Sequence, residues 1–179
     1  MANREALREL QTRLASRLQA ARNEGQSVRW LAVLAGGQRY LFPLAQCGEI
    51  FPWTPVQPAA YTQSWFLGVA NLRGGLCGVV DLVRFMATDA QQAPTARSDI
   101  ALSECSLLSF NAGMDVNCAL LVDQLSGLRG NESFTASAAP AEGAPVYFGH
   151  THTDAAGLSW QEINLLTLSQ LPTFLSISA

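Results

Sequence analysis

The stretch "WFLGVANLRGGLCGVVDLVRFM", residues 65–86, decides how the rest of the chain is read. Two apolar runs flank the turn Asn71-Leu72-Arg73-Gly74, which predicts a β-hairpin with one arginine at its tip. The apolar runs are explained by burial; the arginine is not. In one account, Arg73 bonds to turn carbonyls or to a neighbouring carboxylate such as Asp81 and fixes the hairpin, work that suits a planar fork of donors. In the other, the fork projects from a rigid turn and another molecule reads it, as happens where arginine stands beside exposed apolar groups. Asn71 tolerates turn conformations, and Gly74 supplies a positive φ. Asp81 can cap the one or two helical turns offered by "DLVRFMA".

Outward from this hairpin the texture is that of short strands and turns. Upstream, "SVRWLAVLA", "QRYLFPL" and "QCGEIF" read as strands, the first two joined by the tight pair Gly36-Gly37. "PWTPVQP" reads as an extended, proline-stiffened loop. Downstream, "ATDAQQAPTARS" reads as a surface loop, "DIALSECSLLSF" and "MDVNCALLVDQL" as strands about a turn at residues 111–113, and "NESFTASAAPAEGA" as irregular. "PVYFGHTH" and "LSWQEINLL" suggest a last hairpin, and "LLTLSQLPTF" a closing helical segment. About ten short strands without βαβ alternation predict a mainly β fold, a barrel or a sandwich. Ahead of it, residues 1–25 form one unit: Leu7, Leu10, Leu14 and Leu18 occupy one stripe roughly 80° wide, predicting an amphipathic helix that Gly25 ends. Residues 26–179 form the β-rich unit.

Composition narrows the function. Hydrophobic residues make up 49% of the chain but charged residues only 14%, against about 25% in an ordinary soluble protein. A surface so poor in charge exposes apolar or neutral patches that fit protein partners. A net charge of −3 argues against nucleic acid, which needs a concentrated basic face. The first ten residues lack the apolar core of a signal peptide, and no apolar run is long enough to span a bilayer, so a cytoplasmic location without membrane insertion is expected. Cys47, Cys77, Cys105 and Cys118 sit in apolar runs without metal-type spacing, as reduced buried thiols do.

Catalytic and metal chemistry find little support. His150, His152 and Asp154 share a strand face, yet a tetrahedral metal site needs further ligands, and a polar hairpin rim explains them as well. A thiol nucleophile would need a flanking signature that no cysteine has. No phosphate-cradling glycine motif occurs, and a small-molecule-binding barrel would want a convergent polar cluster. No cofactor is implied.

The quoted motif, Gly-Val-x-Asn-Leu-Arg-Gly followed by an apolar strand and Val-x-Asp-Leu, resembles the signature of CheW-like chemotaxis adaptor domains. "YLFPLAQCGEIF" places Glu49 on the family's glutamate, and "CALLVDQLSGL" places Asp123 on its aspartate; "VYFGHTHTDAAGLSWQEINLL" is similar to its closing pattern. The resemblance covers residues 28–171. "SWFLGVANLRG" and the extra N-terminal helix look more like the branch that serves type IV pilus twitching motility than the flagellar one.

The resemblance implies two intertwined five-stranded SH3-like barrels with a hydrophobic groove between them, short connecting and C-terminal helices, and no catalysis. It implies an adaptor that joins the cytoplasmic tip of a methyl-accepting chemoreceptor to the regulatory domain of a CheA-type histidine kinase, recruited to membrane-associated arrays. Arg73, Glu49, Asn71 and Leu72 are then candidate partner contacts. Trp65 becomes one if it is exposed beside Arg73, though tryptophan is usually core. Cys47, Leu125 and Leu128 either line the groove or sit inside the barrels. Gly74, Asp81 and Asp123 are expected to serve turns and caps. Two residues depart from the family pattern: Gly78 stands where proline is frequent, and Asn164 where aspartate is.

Overall fold

A computed structural model describes residues 29–93 and 98–179. The N-terminal helix expected over residues 1–25 lies outside them.

Among the described residues, eleven strands form two sheets. β1 (Arg29–Ala35) and β2 (Gln38–Pro43) open one sheet, and the chain then crosses to the other. There it lays down β3 (Cys47–Pro52), β4 (Phe66–Leu72), β5 (Gly75–Asp81), β6 (Ser106–Phe110) and β7 (Cys118–Val122). It returns with β8 (Gln124–Gly130), β9 (Phe134–Ala138), β10 (Phe148–Asp154) and β11 (Ser159–Ile163). The sheet orders are β8-β1-β2-β11-β10-β9 and β3-β6-β7-β5-β4. The first sheet is therefore begun by the start of the chain and finished by its end, which is what intertwines the two. One sheet has six strands rather than five, because β9 forms in a segment that reads as irregular. Its "FTASA" does alternate apolar and polar residues, but the apolar ones past Phe134 are small alanines and everything after the first residue is exposed, so the strand signal is weak.

The helices are short: α1 (Leu82–Asp89), α2 (Asp99–Ser103), α3 (Leu165–Ser169) and α4 (Pro172–Leu175). α2 replaces the first half of an expected strand. Ser98 caps it by accepting from the Ala101 amide, a local signal that the apolar pattern hides. Residues 114–117 likewise stay out of β7; Asn111 starts a single tight turn there by accepting from the Gly113 amide.

The core has three parts. Between the sheets, Leu31, Val33 and Phe42 of one meet Leu108, Leu120 and Val122 of the other, with Phe85 from α1, Leu165 and Leu168 from α3 and Phe174 from α4. Inside the five-stranded sheet lie Ala70, Cys77, Val79, Leu107, Ala119 and Leu121. Inside the six-stranded sheet lie Trp30, Ala32, Leu41 and Trp160. β7 is buried at all five positions because alternate residues serve two different cores, so it reads as an unbroken apolar run. Each such fully buried Leu or Phe contributes about 1.5–3 kcal/mol of transfer free energy.

The five-stranded sheet curls until its edges nearly meet. Past β3 the extended segment bridges to β4 through Gln57 and Val69, with N–H···O bonds of 2.7 and 3.0 Å. Gly68 permits the approach: its φ is +133°, and a Cβ there would stand 2.2 Å from the Gln57 carbonyl oxygen.

Candidate functional site

The site begins with hairpin geometry. Asn71 pairs with Leu76 and Leu72 with Gly75, leaving a two-residue loop, Arg73-Gly74, with φ of 51° and 81°. Two positive-φ residues match the right-handed twist of the flanking strands. Asn71 is itself extended; it serves the turn by accepting from the Gly74 amide at 2.8 Å, and the left-handed conformation falls on Arg73. A non-glycine residue pays roughly 1–2 kcal/mol to sit there.

Arg73 meets Glu49 of β3. Its Nε lies 2.9 Å from Oε2, and its Nη1 donates to Oε1 at 3.0 Å, a two-pronged fork. β3 and β4 are the two edges of the five-stranded sheet, so the pair spans the seam where that sheet curls round. Glu49 is held by its backbone: its amide donates to the Ser109 hydroxyl at 2.8 Å, and that hydroxyl donates back to the Glu49 carbonyl at 3.2 Å. The side chains remain 75% and 51% exposed, a setting in which an ion pair is worth about 0–1 kcal/mol. The arginine's backbone cost and the ion pair's gain roughly cancel, so the tip is close to neutral for folding.

Asp81, weighed as a partner for Arg73, is at the other end of β5. It is 1% exposed, caps α1 by accepting from the Arg84 amide at 3.2 Å, and faces Arg84 Nε at 3.6 Å. The carboxylate that meets Arg73 instead arrives from β3, 24 residues upstream.

Trp65 is a correction: it is 2% exposed, stacked on Phe174 at 6.0 Å and edge-on to Phe85 at 5.2 Å, within the core between the sheets. It offers no ring to a partner at the tip. Cys47 is likewise core, at 8% exposed, and burial pushes its thiol up to about 12. Leu72 is half-buried against the interior of the five-stranded sheet. Leu125 is half-buried against the inter-sheet core, whereas Leu128, on edge strand β8, is 60% exposed. Asp123 accepts from the Gly36 amide at 2.7 Å and donates its own amide to the Leu34 carbonyl at 2.9 Å, tying the β7–β8 junction to the β1–β2 hairpin.

Both departures from the family pattern have local uses. The Gly78 amide donates to the Asn117 carbonyl at 3.1 Å, a bond that proline lacks the hydrogen to make. Asn164 caps α3 by accepting from the Thr167 amide at 2.9 Å, as aspartate would. Ser109, which holds Glu49, carried no distinct signal in the sequence, and Gly68, which opens the Gly-Val-x-Asn-Leu-Arg-Gly motif, gave no sign of the segment it lies against; each acts through a segment distant along the chain.

The residues considered for metal or nucleophilic chemistry serve the structure. His152 is buried beside Trp30 and Phe134 and sits 3.2 Å from Glu162. Asp154 accepts from the Trp160 indole and from the Leu158 and Ala156 amides, each at 2.9 Å, and these bonds, the indole's above all, hold its carboxyl below its ordinary value. Among the described residues, no three His, Cys, Asp or Glu side chains stand where they could hold a metal. Burial also raises the Cys77 and Cys118 thiols, which lowers the thiolate fraction a nucleophile needs. Among the described residues, no helix is long and apolar enough to cross a membrane.

Comparison with known proteins agrees with this geometry. Along 170 residues the chain is 25% identical to Protein PilI of Pseudomonas aeruginosa, covering 93% of this chain and 89% of that one. It is 31% identical over 74 residues to Chemotaxis protein CheW of Rhizobium meliloti, 41% of this chain and 47% of that one. The fold matches the crystal structure of scaffolding protein TtCheW from Thermoanaerobacter tengcongensis with a TM-score of 0.60 at 12% identity, over 83% of this chain and 96% of that one. Residues 29–154 match the model of the CheW-like domain. The hairpin with its Asn-Leu-Arg-Gly turn, the crossed pair of sheets and this match together show that the chain belongs to the CheW-like domain family.

Proposed function

We propose that this chain is a non-catalytic adaptor that couples the cytoplasmic tip of a methyl-accepting chemoreceptor to the regulatory domain of a CheA-type histidine kinase. The system it serves is the one that controls type IV pilus twitching motility, and its place is at cytoplasmic receptor arrays. Likeness to Protein PilI along 93% of the chain supports the pilus assignment over the flagellar one, since likeness to Chemotaxis protein CheW spans 41%.

The observation that carries the reading is Arg73. A guanidinium sits on a left-handed residue at a hairpin tip, 75% exposed, and contributes little to folding. Glu49 fixes its direction through two of its five N–H donors, leaving the others for a partner's carbonyls or carboxylate. Asn71 sets the turn beneath it, Leu72 anchors the strand, and Leu128 with the edge of Leu125 offers a separate apolar contact. Coupling is passive: two partners grip one rigid body, and an array multiplies modest contacts. No cofactor takes part.

The test is binding of a receptor cytoplasmic fragment and a kinase regulatory domain by the purified chain. Arg73→Ala is expected to lose at least about tenfold in affinity for one of them. Its melting temperature should stay within about 2 °C of the parent, since an exposed ion pair is worth little. Retained binding, or a large fall in melting temperature, would sink the assignment of Arg73. Deleting the gene should abolish twitching and spare swimming; the reverse would place the adaptor in the flagellar system.

A further inference from the structure

At the base of the same hairpin, roughly 25 Å along the strands from Arg73, lies a cavity of about 360 Å³. Gln63, Thr88, Asp89 and Thr173 line it, together with the almost wholly buried Trp65 and Phe85. Asp89 is the one charged side chain lining it among the described residues. Its Oδ2 accepts from the Tyr147 hydroxyl at 3.1 Å, a neutral donor that leaves the negative charge in place. The cavity also lies at the C-terminal end of α1, where helix carbonyls add partial negative charge. A carboxylate and a helix C-terminus both favour a cation.

The surroundings favour a cation that arrives on a polypeptide. Tyr61 is 89% exposed on a left-handed backbone with φ of 57°, Leu175 is 61% exposed and Ile177 39%. They border the rim through the chain: the Gln63 amide donates to the Ile177 carbonyl at 2.8 Å, and the Ala179 amide to the Tyr61 carbonyl at 3.0 Å. A tyrosine kept exposed at a backbone cost of roughly 1–2 kcal/mol contributes nothing evident to the fold and suits an interface anchor.

We propose that this cavity binds a basic side chain, arginine or lysine, carried by a partner segment whose flanking apolar residues pack on Tyr61, Leu175 and Ile177. The surface is separate from the Arg73 tip and does not depend on who the partners are.

The test uses the full chain with three probes: a capped pentapeptide of arginine flanked by alanine and leucine, the same peptide with citrulline, and agmatine alone. Amide and indole NMR shifts read the binding. The arginine peptide is expected to shift Trp65, Asp89 and Gln91 at low-millimolar concentration, the citrulline peptide to bind at least about tenfold more weakly, and agmatine to bind weakly at the same place. Asp89→Asn, which keeps an oxygen for the Tyr147 hydroxyl, should lose the arginine preference. Tyr147→Phe, which removes that bond and keeps the charge, should retain it, and Tyr61→Ala should weaken the peptide while sparing agmatine. Equal binding of arginine and citrulline peptides, equal losses in Asp89→Asn and Tyr147→Phe, or no shifts at all would overturn the proposal.

Discussion

Two hairpins of this protein share a backbone plan and differ in what their tips carry. Both the β1–β2 and β4–β5 loops have two residues with positive φ. At the first, Gly36 and Gly37 adopt 59° and 75° at no steric cost, the Gly36 amide is pinned by Asp123, and Val83 of α1 presses so close that a Cβ on Gly36 would stand 2.9 Å from it. At the second, arginine occupies the place of Gly36, and the contact made is an exposed ion pair. A tip that serves the fold uses the residue with the lowest conformational cost and ties it to the body. A tip that keeps an arginine against its backbone preference, in return for an ion pair of little worth, fits the proposal that a partner reads it.

That contrast can be broken by substitution. The largest effect is expected just below the arginine tip, where Gly68→Ala drives a methyl into the Gln57 carbonyl; the loss should be about 3 kcal/mol or more, a fall of roughly 10 °C in melting temperature by calorimetry. A mild effect would mean that the seam between the sheet edges is soft. Next comes the exchange of tips. Gly36→Arg should cost about 2 kcal/mol, from the left-handed penalty and the Val83 contact, measured by urea unfolding. Arg73→Gly should hold stability within about 1 kcal/mol, because relief of strain offsets the lost ion pair and the added flexibility of the unfolded chain. If the two exchanges cost the same, the hairpins are not different in kind.

Smaller effects sharpen the picture. Glu49→Gln should change stability by less than about 0.5 kcal/mol, and by less still at high salt, as exposed pairs are screened. A third tip, the β10–β11 turn, offers a pH test. Asp154 has its carboxyl held low by the Trp160 indole, so its charge adds stability above the ordinary carboxylate range and loses it as pH falls through the lowered folded value. The gap in melting temperature between the parent and Asp154→Asn should therefore shrink below about pH 4. A gap that persists in acid would assign the effect to packing.

The sequence by itself determined the mainly β class, both glycine- and arginine-tipped hairpins, the cap at Asp81 and the motif that shows the family. All of these are local: alternation, turn residues and caps act within a few positions. What only the tertiary structure decided acts between distant segments. Glu49 as the partner of Arg73, the role of Gly68 against Gln57, and Asp123 locking Gly36 each join residues 11 to 87 positions apart. Residue type alone favours a core for Trp65 and Cys47, but their place beside the motif leaves a partner surface open until both sheets are in place, because burial is a property of what packs opposite. Strand β9, with only alanines apolar past its first residue, is held by hydrogen bonds to β10, and so small and exposed an alternation in its own five residues is too weak to announce them.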